Sequence, residues 1–402
     1  MLRVSAAIGS LGPSPTLAVT ARAKELRAQG VDVIGFGAGE PDFDTPDHIK
    51  DAAIAAIREG YTKYVVPASG SPDLKDAIIE KFRSDNGLEY ERDQIVVSCG
   101  AKHSLFNAFH ALLNPGDEAI IPAPYWVSYP EQVRSAGARP VIVETDASFK
   151  LDPERLKAAI TSKTRLLVLN SPCNPTGAVY SAKELESIAE VAVNTGIAVV
   201  SDEIYENILY DGLKHVSIAS LSKEIASQTI VVNGVSKTYA MTGWRIGYAA
   251  GPKEIMIPMS RLQDQSTSGP TSISQRASIA ALRGDQECVT RMVKAFDERR
   301  RLITPRANDI FGIHMQPPAG AFYLFVDISG TFGYRYDDVE VQSADDLARY
   351  LLGAVKVAVV PGEGFGAPNY IRLSYAMSLD KIEQGMTRID EGVRRLKRRG
   401  AR

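Results

Sequence analysis

Between residues 94 and 250, short apolar runs rich in β-branched residues alternate with longer amphipathic segments. A short apolar run bounded by turn residues is typical of a strand buried on both faces, and apolar residues at helical spacing are typical of a helix that covers a sheet. The pattern therefore predicts an α/β fold with one largely parallel, seven-stranded sheet and helices on both faces. The predicted strands lie at residues 94–98, 118–122, 140–144, 165–170, 197–201, 229–232 and 246–250.

The pattern changes near residue 290, where a long charged helix begins and the strands that follow become short. We interpret residues 290–402 as a smaller α/β domain, residues 48–289 as the large domain, and residues 1–47 as a segment that contributes to the small domain. The other expected elements are helices at 16–29, 46–59, 71–86 and 379–399, and strands at 31–36, 320–326, 355–360 and 370–374.

Composition restricts the class of protein. Of the 402 residues, 45% are hydrophobic and 23% are charged, which is typical of a soluble globular enzyme rather than a disordered or fibrous chain. The formal net charge of −2 favours neither a nucleic-acid partner nor an anionic membrane surface. No window approaches the roughly 18 consecutive apolar residues of a membrane span, and the N-terminus lacks a secretory pattern, so we expect a cytoplasmic protein.

The three cysteines, Cys99, Cys173 and Cys288, show no CxxC spacing, and the histidines do not cluster with them. An odd number of dispersed cysteines indicates neither a disulfide scaffold nor a zinc site. We therefore expect no metal centre built on these residues.

Lys237 is the first candidate for catalysis. It follows the apolar run at 229–232, and in open α/β sheets ligands bind beyond the carboxyl ends of the strands. An amine that acts as a nucleophile near neutral pH needs its ammonium form disfavoured, which partial burial and a nearby guanidinium such as that of Arg245 would achieve. Arg245 could equally hold a phosphate. Taken alone, a lysine and an arginine that flank a turn are more often surface residues.

Other predicted strands also end at residues suited to binding a ligand. Gly100 and Ala101 begin a helix whose free N–H groups could bind an anion. Asn174 lies in a proline-flanked loop that would fix its amide as a hydrogen-bond donor. Asp202 could pair with a protonated pyridine nitrogen, and Tyr205 could reach a neighbouring ring oxygen.

Each of these residues has an alternative interpretation. Trp126 follows a strand and could stack on a planar ring, although aromatic residues in that position more often belong to the core. Asn174 could simply stabilise its turn, and the adjacent carboxyl groups of Asp202 and Glu203 could bind a metal. The glycines of GFGAG at 35–39 do not make a dinucleotide motif, because the following residues at 40–42 prevent a helix from starting. We expect there a loop whose backbone lets a ligand approach closely.

In combination, these residues resemble the class I aminotransferases of fold type I, which use pyridoxal 5′-phosphate, and most closely the bacterial aspartate aminotransferases. The resemblance covers nearly the whole chain and includes motifs in the family order. They are GEPDFDTP at 39–46, YTKY at 61–64, GAK at 100–102, PYW at 124–126, NSPCNPTG at 170–177, SDEIY at 201–205, SK at 236–237 with Arg245, and YIRLSY at 370–375.

The resemblance implies roles for the residues around the cofactor ring. Lys237 would form the Schiff base and would move the proton between the substrate and the cofactor. Asp202 would keep the pyridine nitrogen protonated, Asn174 and Tyr205 would hydrogen-bond the ring oxygen, and Trp126 would stack on the ring.

The resemblance also implies a phosphate site and a dimer. The phosphate would be held by the backbone N–H groups of Gly100 and Ala101 and by the side chains of Ser236, Arg245 and Tyr64. In this family the tyrosine comes from the partner subunit, so a homodimer with shared active sites is implied. Gly234 departs from the pattern, because relatives often have a phosphate-binding serine at that position.

The implied substrates are amino acids and 2-oxo acids. Arg372 would bind the α-carboxylate that they share, with further contacts from Gly39, Asn174 and Trp126.

The distal carboxylate of a dicarboxylic substrate needs a second cation. Some family members supply an arginine from the partner subunit, but the corresponding segment here, QSTSGP at 265–270, has no basic residue. Other bacterial members use a lysine at the start of the phosphate-binding helix, which is Lys102 in this chain. Lys102 is therefore the expected ligand, and Thr16 is a weaker candidate.

The activity implied is the ping-pong transfer of an amino group from L-aspartate to 2-oxoglutarate, which gives oxaloacetate and L-glutamate. Aromatic amino acids or prephenate as substrates, or β-elimination as the outcome, are alternatives. Relatives that act on prephenate carry a basic residue in the N-terminal segment, where LGPS at 11–14 has none. A regulator with this fold would need an additional DNA-binding domain, for which we expect no room ahead of the large domain.

Overall fold

The computed structural model describes residues 3–9, 11–337 and 339–398. The strands are β1 (Ile34–Gly35), β2 (Ile95–Ser98), β3 (Glu118–Ala123), β4 (Arg139–Glu144), β5 (Thr164–Asn170), β6 (Ala198–Asp202), β7 (Thr229–Gly234), β8 (Gly247–Ala250), β9 (Tyr323–Asp327), β10 (Tyr334–Tyr336), β11 (Val339–Glu340), β12 (Val357–Ala358), β13 (Val360–Pro361), β14 (Tyr370–Ser374) and β15 (Lys397–Arg398). The α-helices are α1 (Ala6–Gly9), α2 (Pro15–Ala28), α3 (Asp47–Arg58), α4 (Pro72–Asn86), α5 (Ala101–Leu112), α6 (Ser128–Ser135), α7 (Pro153–Ala159), α8 (Ala182–Thr195), α9 (Lys223–Ala226), α10 (Lys253–Ser266), α11 (Ser272–Arg283), α12 (Glu287–Asn308), α13 (Ala344–Val355) and α14 (Leu379–Arg395).

The predicted seven-stranded sheet is confirmed, with the strand order β2-β8-β7-β6-β5-β3-β4. All neighbouring strands are parallel except β8, which runs antiparallel to both β2 and β7. A parallel pair needs a long crossover connection, usually a helix. The segment between β7 and β8 is short and carries only a single 3-10 turn, so β8 returns antiparallel beside β7. That short segment contains Lys237 and Arg245.

Helices cover both faces of this sheet, which explains why its strands read as continuous apolar runs. In β7, Ile230 and Val232 pack in one buried cluster with Leu105 of α5. The intervening Val231 packs in a second cluster with Phe82 of α4. Within the described ranges, no helix combines the length and the apolar character needed to cross a membrane.

The C-terminal part forms separate small sheets. Strands β13, β14 and β9 make an antiparallel sheet, and β1 from the N-terminal segment pairs parallel with β12. The backbone N–H of Ser374 also donates to Phe36 O. The N-terminal segment therefore packs with the C-terminal part, although the domain boundaries drawn from the sequence stay predictions.

Four predicted elements differ from the structure. The strand expected at 320–326 begins only at Tyr323, because Ala321 has a positive φ of 56°. The strand expected at 31–36 is only the two residues of β1, because the N–H of Val31 is used to close the end of α2 and its carbonyl accepts from Val33. The run at 355–360 divides into β12 and β13 at Val359. The closing helix ends at Arg395, since β15 follows it and pairs with β10. Arg399, its predicted last residue, lies outside the described residues.

A pair of glycines lets α5 approach the sheet closely. Gly234 of β7 lies opposite Gly247 of β8. A Cβ atom on Gly247 would overlap the backbone N of Ala101, the first residue of α5. A Cβ atom on Gly234 would lie 2.9 Å from Ile246 O and 3.0 Å from the Cα of Gly247. The absence of both side chains therefore sets the position of the α5 N-terminus.

We expect Gly247→Ala to lower the free energy of unfolding by about 2 kcal/mol or more, because an added methyl group in a packed site forces backbone shifts. Gly353→Ala is the matched control: Gly353 is exposed in α13 with no atom within 4 Å of its would-be Cβ, so alanine should stabilise by about 0.5–1 kcal/mol. Urea-induced unfolding measures both. Equal stability of the two variants would contradict the close approach of α5.

Candidate active site

A cavity of about 360 Å³ lies beyond the carboxyl ends of β5, β6 and β7. It brings together most of the site residues that the sequence predicts. Those that line it are Thr16, Gly39, Ala101, Lys102, Trp126, Asn174, Asp202, Tyr205, Ser236, Lys237, Arg245 and Arg372. Gly100 is not among the lining residues, although it directly precedes Ala101. Tyr64 lies away from the cavity, with 89% of its surface exposed.

Lys237 lies just after β7, and its Nζ donates a hydrogen bond to Gly39 O at 2.6 Å. Burial of the amine lowers the pKa of Lys237 to about 8, and the guanidinium groups of Arg245 and Arg372 act in the same direction. The carboxylates of Glu40 and Asp202 oppose this change. A lysine with such a pKa is partly neutral near pH 8, as a nucleophile or general base requires.

Asp202 ends β6 and is 4% exposed. Its Oδ2 accepts a hydrogen bond from Tyr129 Oη at 2.7 Å, and its Oδ1 accepts from the N–H of Ile204 at 3.3 Å. Burial raises the pKa of Asp202 to about 6, whereas these two hydrogen bonds and the charge of Lys237 oppose the rise. The carboxyl group of Asp202 is thus about half ionised near pH 6.

The adjacent Glu203 has different neighbours. Its carboxylate accepts from Ser217 Oγ at 2.7 Å and lies 2.9 Å from the Nε2 of His215. Burial alone lowers the pKa of His215, but the Glu203 carboxylate raises it above its ordinary value. Asp202 and Glu203 share no hydrogen-bond partner among the described residues, and the group of close metal-binding side chains that includes Glu203 does not include Asp202.

A second acidic group lies close to Glu203. Ligand atoms of Glu203, Glu206 and His215 lie within 4.8 Å of one another. The ammonium group of Lys81 already pairs with Glu206, however, so side chains balance the charge of this cluster. The metal interpretation of the Asp-Glu pair gains no support from this arrangement.

Arg372 enters the cavity from β14 and is only 2% exposed. Its guanidinium donates to Asn174 Oδ1 at 2.9 Å and to Gly37 O at 3.0 Å, and lies 4.4 Å from the ring centre of Tyr323. Its hydrogen bonds to the described residues therefore reach only neutral oxygen atoms, and its buried Nε has no partner there. Burial lowers the pKa of Arg372 from its ordinary value, but an arginine stays charged in a protein. A carboxylate would compensate this charge.

The start of α5 and Arg245 bring several hydrogen-bond donors together. Gly100 has a positive φ of 89°, and a Cβ atom there would overlap the guanidinium of Arg245. Arg245 Nη1 donates to Thr242 O at 2.8 Å, which fixes the guanidinium beside the helix. The first N–H groups of a helix have no partner within the helix, so these donors and the guanidinium suit one anion.

The backbone around Gly234, the position that departs from the family pattern, leaves little room for a side chain. A serine at this position would bring its Cβ against Ile246 O, where the two strands are closest. Ser236, two residues further on, does line the cavity.

Lys102 is the second residue of α5, and its Nζ lies 4.9 Å from the ring centre of Trp126. Burial lowers the pKa of Lys102, and the charge of Arg245 adds to this effect. Thr16 of α2 lines the same cavity, whereas the segment at 265–270 does not. Lys102 is thus a cation on the cavity wall that is separate from Arg372.

Residues 37–46 form a loop, as expected, and hydrogen bonds tie it to the segment between β7 and β8. Besides the bond from Lys237 to Gly39, Thr242 Oγ1 donates to a Glu40 carboxylate oxygen at 2.9 Å, and Thr45 Oγ1 donates to Ala240 O at 2.8 Å. No helix follows the glycines, which agrees with the rejection of a dinucleotide site.

The sequence analysis missed two tyrosines that line the cavity, Tyr129 and Tyr323. Tyr129 holds Asp202, and the hydroxyl groups of Tyr323 and Tyr205 lie 2.7 Å apart. Tyr129 lies three residues after Trp126 at the start of α6, and this spacing was the one available signal. Tyr323 lies in a strand that the sequence predicts, but nothing in the pattern shows which side chain of that strand reaches the cavity.

Comparison with known proteins agrees with this geometry. The family model for aminotransferase class I and II matches residues 31–389. The chain is 53% identical to an aspartate aminotransferase of Bacillus sp. (strain YM-2) over 389 residues, which cover 96% of this chain and 98% of that protein. It is 48% identical to an aspartate/prephenate aminotransferase of Nitrosomonas europaea over 393 residues, which cover 96% of this chain and 99% of that one.

The fold is similar to that of solved structures. The crystal structure of an aspartate aminotransferase from Rhizobium meliloti superposes with a TM-score of 0.95 at 45% sequence identity, covering 99% of this chain and 100% of that one. Sequence, fold and the arrangement of the cavity lead to one conclusion: the chain belongs to the class I and II aminotransferases.

Proposed function

We propose that the protein is a pyridoxal 5′-phosphate-dependent aspartate aminotransferase that transfers the amino group of L-aspartate to 2-oxoglutarate. The observation that carries the proposal is that Arg372 and Lys237 line the same cavity. A buried guanidinium without a carboxylate partner faces the same cavity as an amine whose pKa is about 8. An amino acid brings the missing carboxylate, and its α carbon needs such an amine to take its proton.

The residues present fit the cofactor at both ends of the cavity. At one end, Ala101, Ser236 and Arg245 surround a position suited to a phosphate, and the lack of a side chain on Gly100 makes room for Arg245. At the other end, the Asp202 carboxylate is the acceptor that a protonated ring nitrogen requires. When bound, the cofactor supplies an electron-withdrawing ring that accepts the charge released by loss of the α proton.

The cavity residues that would surround the ring have distinct tasks. Asp202 holds the ring nitrogen in its protonated form, and Trp126 stacks on the ring. The oxygen of the Asn174 amide accepts from Arg372, which leaves its Nδ2 to donate to the ring oxygen together with the Tyr205 hydroxyl. Lys237 Nζ would take the α proton of the amino acid and hold it for its return.

Two separate cations account for a dicarboxylic substrate. Arg372 binds the α-carboxylate through its guanidinium, with Gly39 and Asn174 beside it. Lys102 binds the distal carboxylate, and Thr16 lines the same wall. The named activity of the relatives from Bacillus and Rhizobium supports aspartate as the amino donor.

Prephenate or an aromatic amino acid is the second candidate, since the relative from Nitrosomonas europaea is named for both aspartate and prephenate. The N-terminal segment favours aspartate over prephenate as the substrate. Residues 11–14 include no basic side chain, and the N–H of Gly12 donates to Glu131 at 3.1 Å, a carboxylate whose other oxygen already pairs with Arg134 at 2.6 Å.

We also propose a homodimer in which Tyr64 completes the phosphate site of the partner subunit. Tyr64 and Val66 are 89% and 81% exposed, and Ile54 and Ile57 of α3 also expose much of their surface. Large apolar side chains exposed in this number are typical of a surface that another chain covers.

Substitution of Lys102 tests the assignment of aspartate. Lys102→Ala should lower kcat/KM for L-aspartate by about 10- to 100-fold, because a charged hydrogen bond to the distal carboxylate is lost, and should leave kcat/KM for L-phenylalanine nearly unchanged. Steady-state rates with 2-oxoglutarate measure both. Lys150→Ala is the matched control, since Lys150 Nζ also lies against an aromatic ring, that of Tyr180, but outside the cavity. Equal losses for both substrates would rule out Lys102 as the distal ligand.

A mixed dimer tests the shared site. In a heterodimer of one Lys237→Ala chain and one Tyr64→Phe chain, one site carries both substitutions and the other carries neither. We expect half of the sites to bind pyridoxal 5′-phosphate as tightly as the wild type, whereas the Tyr64→Phe homodimer binds it about tenfold more weakly, since one hydrogen bond to the phosphate is lost. Differently tagged, co-expressed chains allow purification of the heterodimer. If no site regains wild-type affinity, Tyr64 does not act across the dimer.

A further inference from the structure

Tyr129 lines the cavity but has no task in the reaction described above. It lies in the first turn of α6 and is 2% exposed. Its hydroxyl donates to Asp202 Oδ2 at 2.7 Å, across 73 positions of sequence. A buried hydroxyl group needs a hydrogen-bond partner, and the partner of Tyr129 is the carboxylate proposed to bind the ring nitrogen of the cofactor.

Among the described residues, Tyr129 is the only side chain that donates a hydrogen bond to the carboxylate of Asp202, since Asn170 donates to its backbone carbonyl. The backbone N–H of Ile204 donates to the other oxygen, at the longer distance of 3.3 Å. Each carboxylate oxygen therefore has one donor from the protein, and the two donors fix the plane of the carboxylate. A short hydrogen bond to a charged acceptor is the stronger kind, so Tyr129 dominates this pair.

The position of Tyr129 is itself fixed by its neighbours. Its ring meets the ring of Trp126 edge to face, with centres 5.4 Å apart and planes inclined by 80°. The backbone N–H of Tyr125 donates to Phe365 O at 3.0 Å, which anchors the same segment. One short stretch of chain thus places both an aromatic wall of the cavity and the hydroxyl that holds Asp202.

We propose that Tyr129 is a positioning residue that keeps the Asp202 carboxylate ionised and directed at the ring nitrogen of the cofactor, an inference that rests on the proposed function. It acts through Asp202 and not on the substrate. Its phenol is a suitable donor, because a phenol that stays protonated cannot take over the proton that the ring nitrogen must keep.

The electrostatics of the site support this role. Burial raises the pKa of Tyr129 well above its ordinary value, and the charge of Asp202 raises it further, so the phenol remains a donor at all working pH values. For Asp202, the hydrogen bond from Tyr129 is the largest influence opposing the rise in pKa that burial causes. Removal of the hydroxyl should therefore raise the pKa of Asp202 above its present value of about 6.

Other groups that face this pair come from several elements. Lys237 after β7 lowers the pKa of Asp202, and Glu203 beside it raises that pKa. Cys173 and Tyr205 face Tyr129, and both remain protonated because burial raises the pKa of each.

Tyr129→Phe tests the proposal, since it removes the hydroxyl and keeps the ring. The measurement is the dissociation constant between pH 5.5 and 9 for pyridoxal 5′-phosphate and for an analogue in which carbon replaces the ring nitrogen. For the natural cofactor, the acid limb of the profile should move up by about one pH unit, so binding is about fivefold weaker at pH 6 and nearly equal at pH 9. The analogue has no ring nitrogen to contact Asp202, so the Tyr129→Phe variant should bind it no more weakly than the wild-type protein does.

Two further proteins keep the test decisive. Tyr350→Phe removes another buried hydroxyl, which donates to Gly392 O far from the cavity, and should leave both profiles unchanged. Replacement of Tyr129 by 3-fluorotyrosine strengthens the donor without altering the fold and should move the acid limb to lower pH. If the Tyr129→Phe variant does not fold, the shift of the acid limb in the 3-fluorotyrosine protein is sufficient to test the proposal.

Equal weakening of both ligands at every pH, or an acid limb that does not move in either Tyr129 protein, would overturn the proposal. Failure of the wild-type protein to bind pyridoxal 5′-phosphate at all would instead overturn the proposed function, and the inference with it.

Discussion

The guanidinium of Arg372 is buried against the rings of Tyr323 and Phe365, and its hydrogen bonds reach only neutral oxygens. Removing a charge from water without a counter-charge is costly, so such a residue is stable only where the surrounding structure forces it or a ligand completes it. Lys102, Lys237 and Arg245 line the same cavity. The cavity therefore holds more positive groups than carboxylates, and it is suited to ligands that bring a phosphate and carboxylates with them.

The fold brings these groups together from distant parts of the chain. Lys237 and Arg245 lie on the short connection between β7 and β8, and Arg372 comes from a separate antiparallel sheet. The loop at 37–46 joins them, since Gly37 accepts from Arg372 and Gly39 accepts from Lys237. Gly247, which lies opposite Gly234 on the neighbouring strand, lets the N-terminus of α5 lie close to β8. Small changes in this backbone would thus alter cofactor and substrate binding together.

Much of the fold could be predicted from the sequence because burial is continuous along the central strands. Each predicted strand of the large sheet lies within one or two residues of its observed bounds, since both faces of the sheet are covered. The strand at 31–36 was too long, because its pairing depends on residues 357 and 358 and not on its own pattern. Tyr129 and Tyr323 were missed for a related reason: each acts through a side chain far away in sequence, Asp202 and Tyr205.

The roles of Lys102 and Tyr64 came from the family resemblance, since a single lysine at a helix start or a single exposed tyrosine carries no functional signal of its own. The structure adds a reason for Lys102, which lies on the cavity wall beside Trp126. For Tyr64 it adds that this side chain and the nearby residues in sequence Ile54, Ile57 and Val66 are all exposed. Neither residue could have been placed by periodicity, because the role proposed for each depends on a ligand or on a second chain.

The most direct test of the central claim is the site of covalent attachment. The protein is incubated with pyridoxal 5′-phosphate, reduced with borohydride and digested, and the pyridoxyl label is located by mass spectrometry. We expect one label per chain, on Lys237. Lys75 provides an internal control, because burial also lowers its pKa to about 8. Its Nζ lies outside the cavity and donates hydrogen bonds to Ser69 Oγ and Arg92 O. A label on Lys75 or Lys102, with Lys237 unmodified, would contradict the assignment of the active site.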